Sequence, residues 1–459
     1  MANMLIAIGG TGQHTALAVS RLAFLGALPQ MILAVIDSED SNDLSSSLVT
    51  FGNIVTGVNK VSGYAEHPLI DGDRIYPPFE KALLKDPKFK DLFLSQSPQP
   101  VETEIFELAF DEQSADIPVK EGMYGRPSVG STIFAQNKSR SLEKVFEKAK
   151  STDAERIFVT GSMVGGTGAG IMHQLVRALP EEKRIYGLVF LRWFDTTAGG
   201  AKQTISRATM ERNMFYGLDY FFKDTRARLN AAMLLGIPEK APADLSPLNV
   251  KSGELGEKPH FLHLIAAYGI LELPRKAVTE KEVKGEGSVY AAAYEKREQM
   301  YDEKWEGEKK LDWYVNRGLF VKEILDYVSS DHYIKQLDAM FGMVSGLLNK
   351  PKNVGTGLYE TILRYKKAER KTKIQEMAQT WRALSQQYEF SIGWLDKVLG
   401  QMDEKKYSPT YSGVKGNNDQ KADRVQKIWA EALPEGQANP SAPDVAREFH
   451  MKLVRSFVE

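Results

Sequence analysis

The sequence predicts an α/β protein, with a parallel sheet in its N-terminal half and a helix-rich C-terminal region. Three observations predict it. Short apolar runs alternate with helix-length segments as far as Leu235. Two of those runs end in glycine-rich segments at Gly9 and Gly161. After Pro238 the chain turns to charged and helix-periodic sequence.

Residues 4–8 (MLIAI) form an apolar run stopped by Gly9-Gly10, the length and branching of a buried parallel strand. Residues 15–28 read as a helix, and residues 31–36 (MILAVI) as the next strand, ending at Asp37. That is a βαβ unit, with a right-handed crossover. Residues 38–123 are less regular, with loops at Pro77-Pro78 and at 97–100. Residues 155–160 (ERIFVT), 185–191 (IYGLVFL) and 231–235 (AAMLL) read as further strands, and 141–149, 171–179 and 206–222 as helices.

Residues 241–260 read as loop, and 261–273 as an apolar helix stopped by Pro274. Residues 275–310 carry nine basic and nine acidic side chains, the pattern of a solvated helix or exposed insertion. Residues 313–399 are helical in pattern, 434–443 a linker and 444–458 a last helix. The expected organisation is a nucleotide-binding domain over 1–257, a central helix over 258–274, and a helix-rich domain over 275–459 that includes the charged insertion.

A chain of 459 residues has room for two or three domains of roughly 100–200 residues. Lys+Arg is 59 and Asp+Glu is 60, a net charge of −1. A balance this even gives no global attraction to nucleic acid or anionic lipid. There is no cysteine, which excludes disulfides, thiol nucleophiles and Cys-ligated metals. No signal peptide or membrane-spanning run is legible, so the expected location is the cytoplasm.

The chemistry lies in glycine-rich segments placed where parallel sheets bind ligands. The first is Gly9-Gly10-Thr11-Gly12-Gln13-His14. Glycines let backbone N–H groups approach a phosphate, and the following helix offers its positive end. The second, GSMVGGTGAG at 161–170, holds five glycines between a strand and a helix. So many glycines are costly in conformational entropy, and a simple turn needs only one or two. Two such segments on one sheet point to one polyphosphate held from two strands.

Residues 157–160 (IFVT) followed by GSMVGGTGAG closely resemble the signature loop of the tubulin/FtsZ superfamily, whose core is GGGTGxG. Other positions agree in order. Gly9 to His14 resembles the first nucleotide loop. Residues 34–39 (AVIDSE) resemble the next strand and its acidic loop, where Asp37 and Glu39 would hold a magnesium-bound water. Pro127-Ser128-Val129-Gly130 resembles the third loop, which senses the γ-phosphate. Residues 188–199 resemble the ribose loop, and 213–218 (NMFYGL) the FtsZ segment Asn-Ala-Met-Glu-Gly-Leu, whose Asn contacts guanine. The resemblance implies GTP or GDP with Mg2+, held by Gly9, Gly10, Thr11, Gly12, Gln13, Asp37, Glu39, Val129, Gly130, Gly165, Gly166, Thr167, Gly168, Ala169 and Asn213. It also implies self-association or a partner protein, with GTP hydrolysis on assembly.

One departure bears on that activity. FtsZ carries an acidic Asn-x-Asp-x-x-Asp motif after its central helix, which completes hydrolysis in the next subunit. No such motif follows Pro274. A non-hydrolysing nucleotide-binding scaffold is therefore an alternative. Another is a dinucleotide-dependent oxidoreductase, because Gly10-x-Gly12-x-x-Thr15 and Asp37 nearly fit the Rossmann fingerprint. His260 and His263 flank a helix start without a third metal ligand in reach of the sequence pattern. Valine at Gly166 or Gly168 is expected to abolish nucleotide binding and leave the core intact.

Overall fold

A computed structural model describes residues 2–29, 31–38, 44, 46–53, 69–76, 88–94, 99–136, 140–151, 154–197, 206–237, 248–251, 258–284, 288–292, 303–342, 356–400, 418–428 and 441–457. Its strands are β1 (Ala2–Ile8), β2 (Met31–Ile36), β3 (Leu69–Tyr76), β4 (Ala154–Ser162), β5 (Arg184–Phe190), β6 (Phe194–Thr197), β7 (Ala231–Leu235), β8 (Leu248–Lys251) and β9 (Ser288–Ala292). The N-terminal helices are α1 (Gly9–Phe24), α2 (Phe89–Phe93), α3 (Pro100–Ala109), α4 (Glu112–Ala115), α5 (Pro127–Gln136), α6 (Arg140–Lys150), α7 (Gly166–Ala178) and α8 (Arg207–Lys223). Then follow α9 (Phe261–Lys284), α10 (Leu311–Val328), α11 (Asp331–Gly342), α12 (Thr356–Leu363), α13 (Arg370–Gly400), α14 (Asn418–Ile428) and α15 (Ala442–Arg455). This is the α/β architecture with a helix-rich C-terminal region that the sequence predicts.

Among the described residues seven strands form one sheet in the order β3-β2-β1-β4-β5-β7-β9, and every pair in it is parallel. Side chains alternate across it, as a strand's period of two requires. Leu5, Phe158, Leu188 and Phe190 join one core with α1, α9 and the C-terminal helices. Ile6, Ile157, Val159 and Val189 join the other with α6 and α7. Each fully buried Leu, Ile or Phe contributes about 1.5–3 kcal/mol, so helices on both faces are what make a central parallel sheet stable.

The first of those cores ties the two halves of the chain together. Ile324, Trp381, Leu395 and Phe449 belong to the same cluster as Leu5 and Leu22. Inside it the Trp381 Nε1–H donates to the Ala446 carbonyl at 3.1 Å.

Several boundaries differ from the sequence reading. The first helix starts at Gly9 rather than Thr15, and that of the signature segment at Gly166 rather than Ile171. Both glycine-rich "loops" are therefore largely first helical turns. The Pro127–Gly130 stretch likewise opens α5. The helix expected to stop at Pro274 runs on to Lys284. Proline removes one N–H bond and usually breaks a helix at a cost of about 3 kcal/mol or more; here Ile270, Leu271 and Leu273 bury against the core on the way to it.

The charged stretch 275–310 also contributes a strand to the sheet. Ser288–Ala292 (SVYAA) pairs with β7 at the sheet edge. Farther along, Trp305 is fully buried, with its ring 5.2 Å from that of Tyr268. The evenly balanced charge masked this apolar run. Strands β3, β6 and β8 were not legible either.

Candidate functional site

The strand order reverses at β1: β2 lies on one side and β4 on the other. In open parallel sheets ligands bind at such a switch point, beyond the carboxyl ends of the strands. Here β1 leads directly into α1, and β4 leads into α7 through residues 163–165. Gly9 takes φ +70, a left-handed conformation that favours glycine. That bend brings the start of α1 against α7: a Cβ at Gly9 would lie 3.3 Å from the Gly168 nitrogen and 3.3 Å from the Thr167 Cβ.

Neither helix start is capped. The N-cap residues are Ile8 and Gly165, with no side-chain cap hydrogen bond and no acidic residue in either first turn. Each helix leaves N–H groups without an intrahelical partner at its N-terminus. By contrast Ser206 caps α8 and Ser441 caps α15 through their side chains. Two uncapped, adjoining helix N-termini sum their dipoles on one spot and favour an anion there.

The glycines divide into two kinds. At Gly10 and Gly165 a Cβ would meet no atom within 4 Å; these two border open space. Elsewhere the backbone leaves no room. A Cβ at Gly12 would lie 2.7 Å from the Ala7 carbonyl carbon, at Gly130 2.6 Å from the Gly166 oxygen, and at Gly168 2.7 Å from the Ser162 oxygen. At Gly166 it would lie 2.7 Å from the Met123 oxygen. The expectation that valine at Gly166 or Gly168 leaves the core intact is therefore corrected: both positions are close-packed against backbone.

The remaining expected site residues are mostly engaged within the protein. The Thr11 hydroxyl accepts from the Trp193 Nε1–H at 3.2 Å. Gln13 Nε2 donates to Asp37 Oδ2 at 2.6 Å, and both residues are buried. Thr167 and Ala169 are buried in the first turn of α7. Val129 belongs to a satellite core with Phe89, Phe106 and Ile133, and its backbone N–H donates to the Arg126 carbonyl at 3.1 Å. Asn213 Nδ2 donates to the Gly125 carbonyl at 2.8 Å and to the Val164 carbonyl at 3.3 Å. It ties the start of α5 to the signature turn. Glu39 and the end of the ribose-loop stretch lie outside the described residues.

Sequence reasoning missed Ser38. It stands beside Asp37 just past β2, almost fully buried, and among the described residues its hydroxyl has no hydrogen-bond partner. An unpaired buried hydroxyl costs about 1–3 kcal/mol. A bound polar group at the strand end would relieve it. Among the described residues no group of three His, Asp or Glu side chains could hold a metal alone. The single carboxylate of Asp37 fits a Mg2+ that takes its other ligands from phosphates and water.

Beneath α1 lies a histidine cluster. His14 stacks on His263 with ring centroids 5.2 Å apart, and Trp193 stands edge-on to both, at 5.5 and 4.7 Å. His263 Nδ1 pairs with the Thr15 hydroxyl at 3.1 Å. Burial, reinforced by Arg21, pushes His14 down to about 3. Burial also pushes His260 and His450 down to about 3 and His263 well below its usual value. A histidine neutral in the fold and protonated in the unfolded chain makes the unfolded state bind more protons. Stability is then complete above pH about 6.5 and falls as the pH drops toward the folded values. Denaturant titrations from pH 7.5 to 5 should show a loss of up to about 1.4 kcal/mol per pH unit for each such ring. A flat profile would mean that these rings are not held neutral.

The sequence matches no protein-family model, and no curated protein matches it. Among solved structures, the GTPγS-bound protofilament of CetZ2 from Haloferax volcanii aligns at 13% identity and a TM-score of 0.28, over 63% of this chain and 64% of that one. The GDP-bound monomer of CetZ1 from the same organism aligns at 12% identity and 0.28, over 53% and 54%. The matched region is less than two thirds of either one. A likeness at this level leaves the function to be argued from the chain's own residues. Among the described residues no helix is long and apolar enough to cross a membrane.

Proposed function

We propose that the protein is a tubulin/FtsZ-like nucleotide-binding protein that takes GTP or GDP at the switch point between β1 and β4. One observation carries the reading: two uncapped helix starts, at Gly9 and Gly166, adjoin at the ends of neighbouring central strands. The phosphates would rest on the first-turn N–H groups of α1 and α7, with Gly10 and Gly165 leaving the space open. Asp37, oriented by Gln13, would hold Mg2+ through water, and the ion would supply charge neutralisation at the phosphates. Asn213 would act mainly by fixing the signature turn, since its amide donates to two backbone carbonyls; guanine preference rests on the motif alone.

Self-association, as a filament or with a partner, follows from the same reading. The missing acidic motif after Pro274 favours a chain that binds nucleotide and relies on a partner for hydrolysis, or does not hydrolyse. The oxidoreductase reading is weaker. A Rossmann site uses one helix N-terminus for its pyrophosphate, and here two are arranged together.

Calorimetric titration with GTP, GDP, ATP and NAD tests the proposal. GTP and GDP should bind in preference to NAD. Tight NAD binding without GTP binding would establish the oxidoreductase class instead. Light scattering with GTP, GDP or no nucleotide then reads assembly: growth with GTP alone marks a filament former, and none marks the scaffold.

A further inference from the structure

Two helices carry apolar ridges that the rest of the protein leaves uncovered. On α3, Val101, Ile105 and Leu108 are exposed, Leu108 to 88%, and Phe106 alone of the ten residues is buried. On α8, Phe215 is 68% exposed and Phe222 is exposed one heptad further on. Residues four or seven apart share a helix face, so each set makes one continuous ridge about two turns long. Contiguous apolar surface of this kind marks an interaction site.

The charges around the two ridges are opposite. Residues 99–116 hold six acidic side chains and no Lys or Arg. Asp111 and Asp116 are taken up by Arg126, Lys88 and Lys90. Glu104 and Glu107 lie on one flank of the α3 ridge, are exposed, and have no ion pair among the described residues. Residues 207–228, covering α8 and the turn after it, hold five basic and three acidic side chains. Glu211 is engaged by Arg207 at 2.7 Å, and Asp219 by Lys223 at 2.7 Å. Arg212, one turn before Phe215, is exposed and has no ion pair among the described residues. The ridges are also neighbours. Asp111, two residues past α3, lines the same cavity as Ser206, Thr209 and Arg212, so the end of the acidic ridge lies beside the start of the basic one.

We propose that α3 and α8 form a self-complementary face on which a second copy of this chain docks about a two-fold axis. In a two-fold interface, whatever one residue offers a second on the other copy is offered back in turn. The α3 helix of each copy then lies on α8 of the other, and all four ridges are covered. Glu104 and Glu107 of one copy meet Arg212 of the other. Pairing like with like, α3 on α3, would set acid against acid, which costs affinity. The ridges are short: α3 and α8 have 10 and 17 residues, about 15 and 26 Å of helix. Two such contacts fall at the low end of specific interfaces, below roughly 1,200 Å² in total, so the dimer is weak and depends on concentration. The inference extends the self-association reading and is independent of the nucleotide site.

Sedimentation velocity of the full chain without nucleotide, over a dilution series, tests it. A monomer–dimer equilibrium is expected, weakened by added salt, which screens exposed charges. Leu108→Glu and Phe215→Glu should each return the protein to monomer. Both positions are exposed, so the melting temperature should hold, which thermal unfolding verifies. Glu104→Lys and Arg212→Glu should each weaken the dimer about fivefold for each of its two contacts. An equimolar mixture of those two variants should dimerise as wild type does, because every contact then joins opposite charges again. A chain that stays monomeric at every concentration would overturn the proposal, as would dimers indifferent to Leu108→Glu and Phe215→Glu. A mixture that does not recover would overturn the pairing of α3 with α8, and species larger than a dimer would overturn the two-fold arrangement. Each of these failures leaves the GTP titration untouched, so the dimer and the nucleotide site fail separately.

Discussion

Gly170→Val is expected to destabilise the N-terminal half of the protein strongly. A Cβ at Gly170 would stand 2.7 Å from the Ser131 nitrogen, 3.0 Å from the Gly130 carbonyl carbon, and against the Pro127 carbonyl. All three belong to the backbone of α5, so no side chain can swing aside. Relief requires α5 to move off α7 as a body. That would expose part of the satellite core formed by Val129 and Ile133 with Phe89 and Phe106. Overpacking a tight interior costs about 1–3 kcal/mol, and more where backbone must shift; the upper end or beyond is expected here. Gly165→Ala is the matched control, because a Cβ there meets nothing within 4 Å. Urea midpoints of the two variants measure the difference. Equal midpoints would show that α5 does not rest on α7.

That result bears on what the glycine-rich signature meant in the sequence. Five glycines in ten residues at 161–170 read as a phosphate cradle, on the ground that a turn would need fewer. The structure gives three of them another task. Gly166, Gly168 and Gly170 let the start of α7 touch the Met123–Ser131 backbone and the end of β4. Sequence alone cannot separate a glycine that faces a ligand from one that faces a helix, because both show only the missing side chain. The strands β1, β2, β4 and β5 were legible because each is a continuous apolar run, the form that burial on both faces imposes. Strand β9 was not, since SVYAA is a short run inside a stretch dominated by Glu and Lys. The pairing of Gln13 with Asp37 joins residues 24 positions apart, and only the folded βαβ unit brings them together. The packing of Trp193 on His14 and His263 spans three separate elements and left no local pattern to read.

Gly10→Val should remove nucleotide binding without harming the fold, and it is the sharpest test of the site. Gly10 is the second residue of α1, is exposed, and has no atom within 4 Å of the position a Cβ would take. Its φ is not positive, so an L side chain strains nothing. Valine has a slightly better helix propensity than glycine, by a few tenths of a kcal/mol at about the first turn. Thermal stability should hold or rise. The added methyl groups would stand in front of the uncapped N–H groups of α1, where the proposal puts the phosphates. Hydrogen bonds to a charged group contribute about 1.5–3 kcal/mol each. Displacing the phosphate from one such donor therefore lowers GTP affinity by roughly tenfold to 150-fold. Gly10→Ala, with one carbon, should fall between wild type and valine. Calorimetry of all three proteins with GTP, beside their melting curves, separates a binding loss from a folding loss. A valine variant that binds GTP as wild type does would move the phosphates away from α1 and leave its glycines a purely structural role.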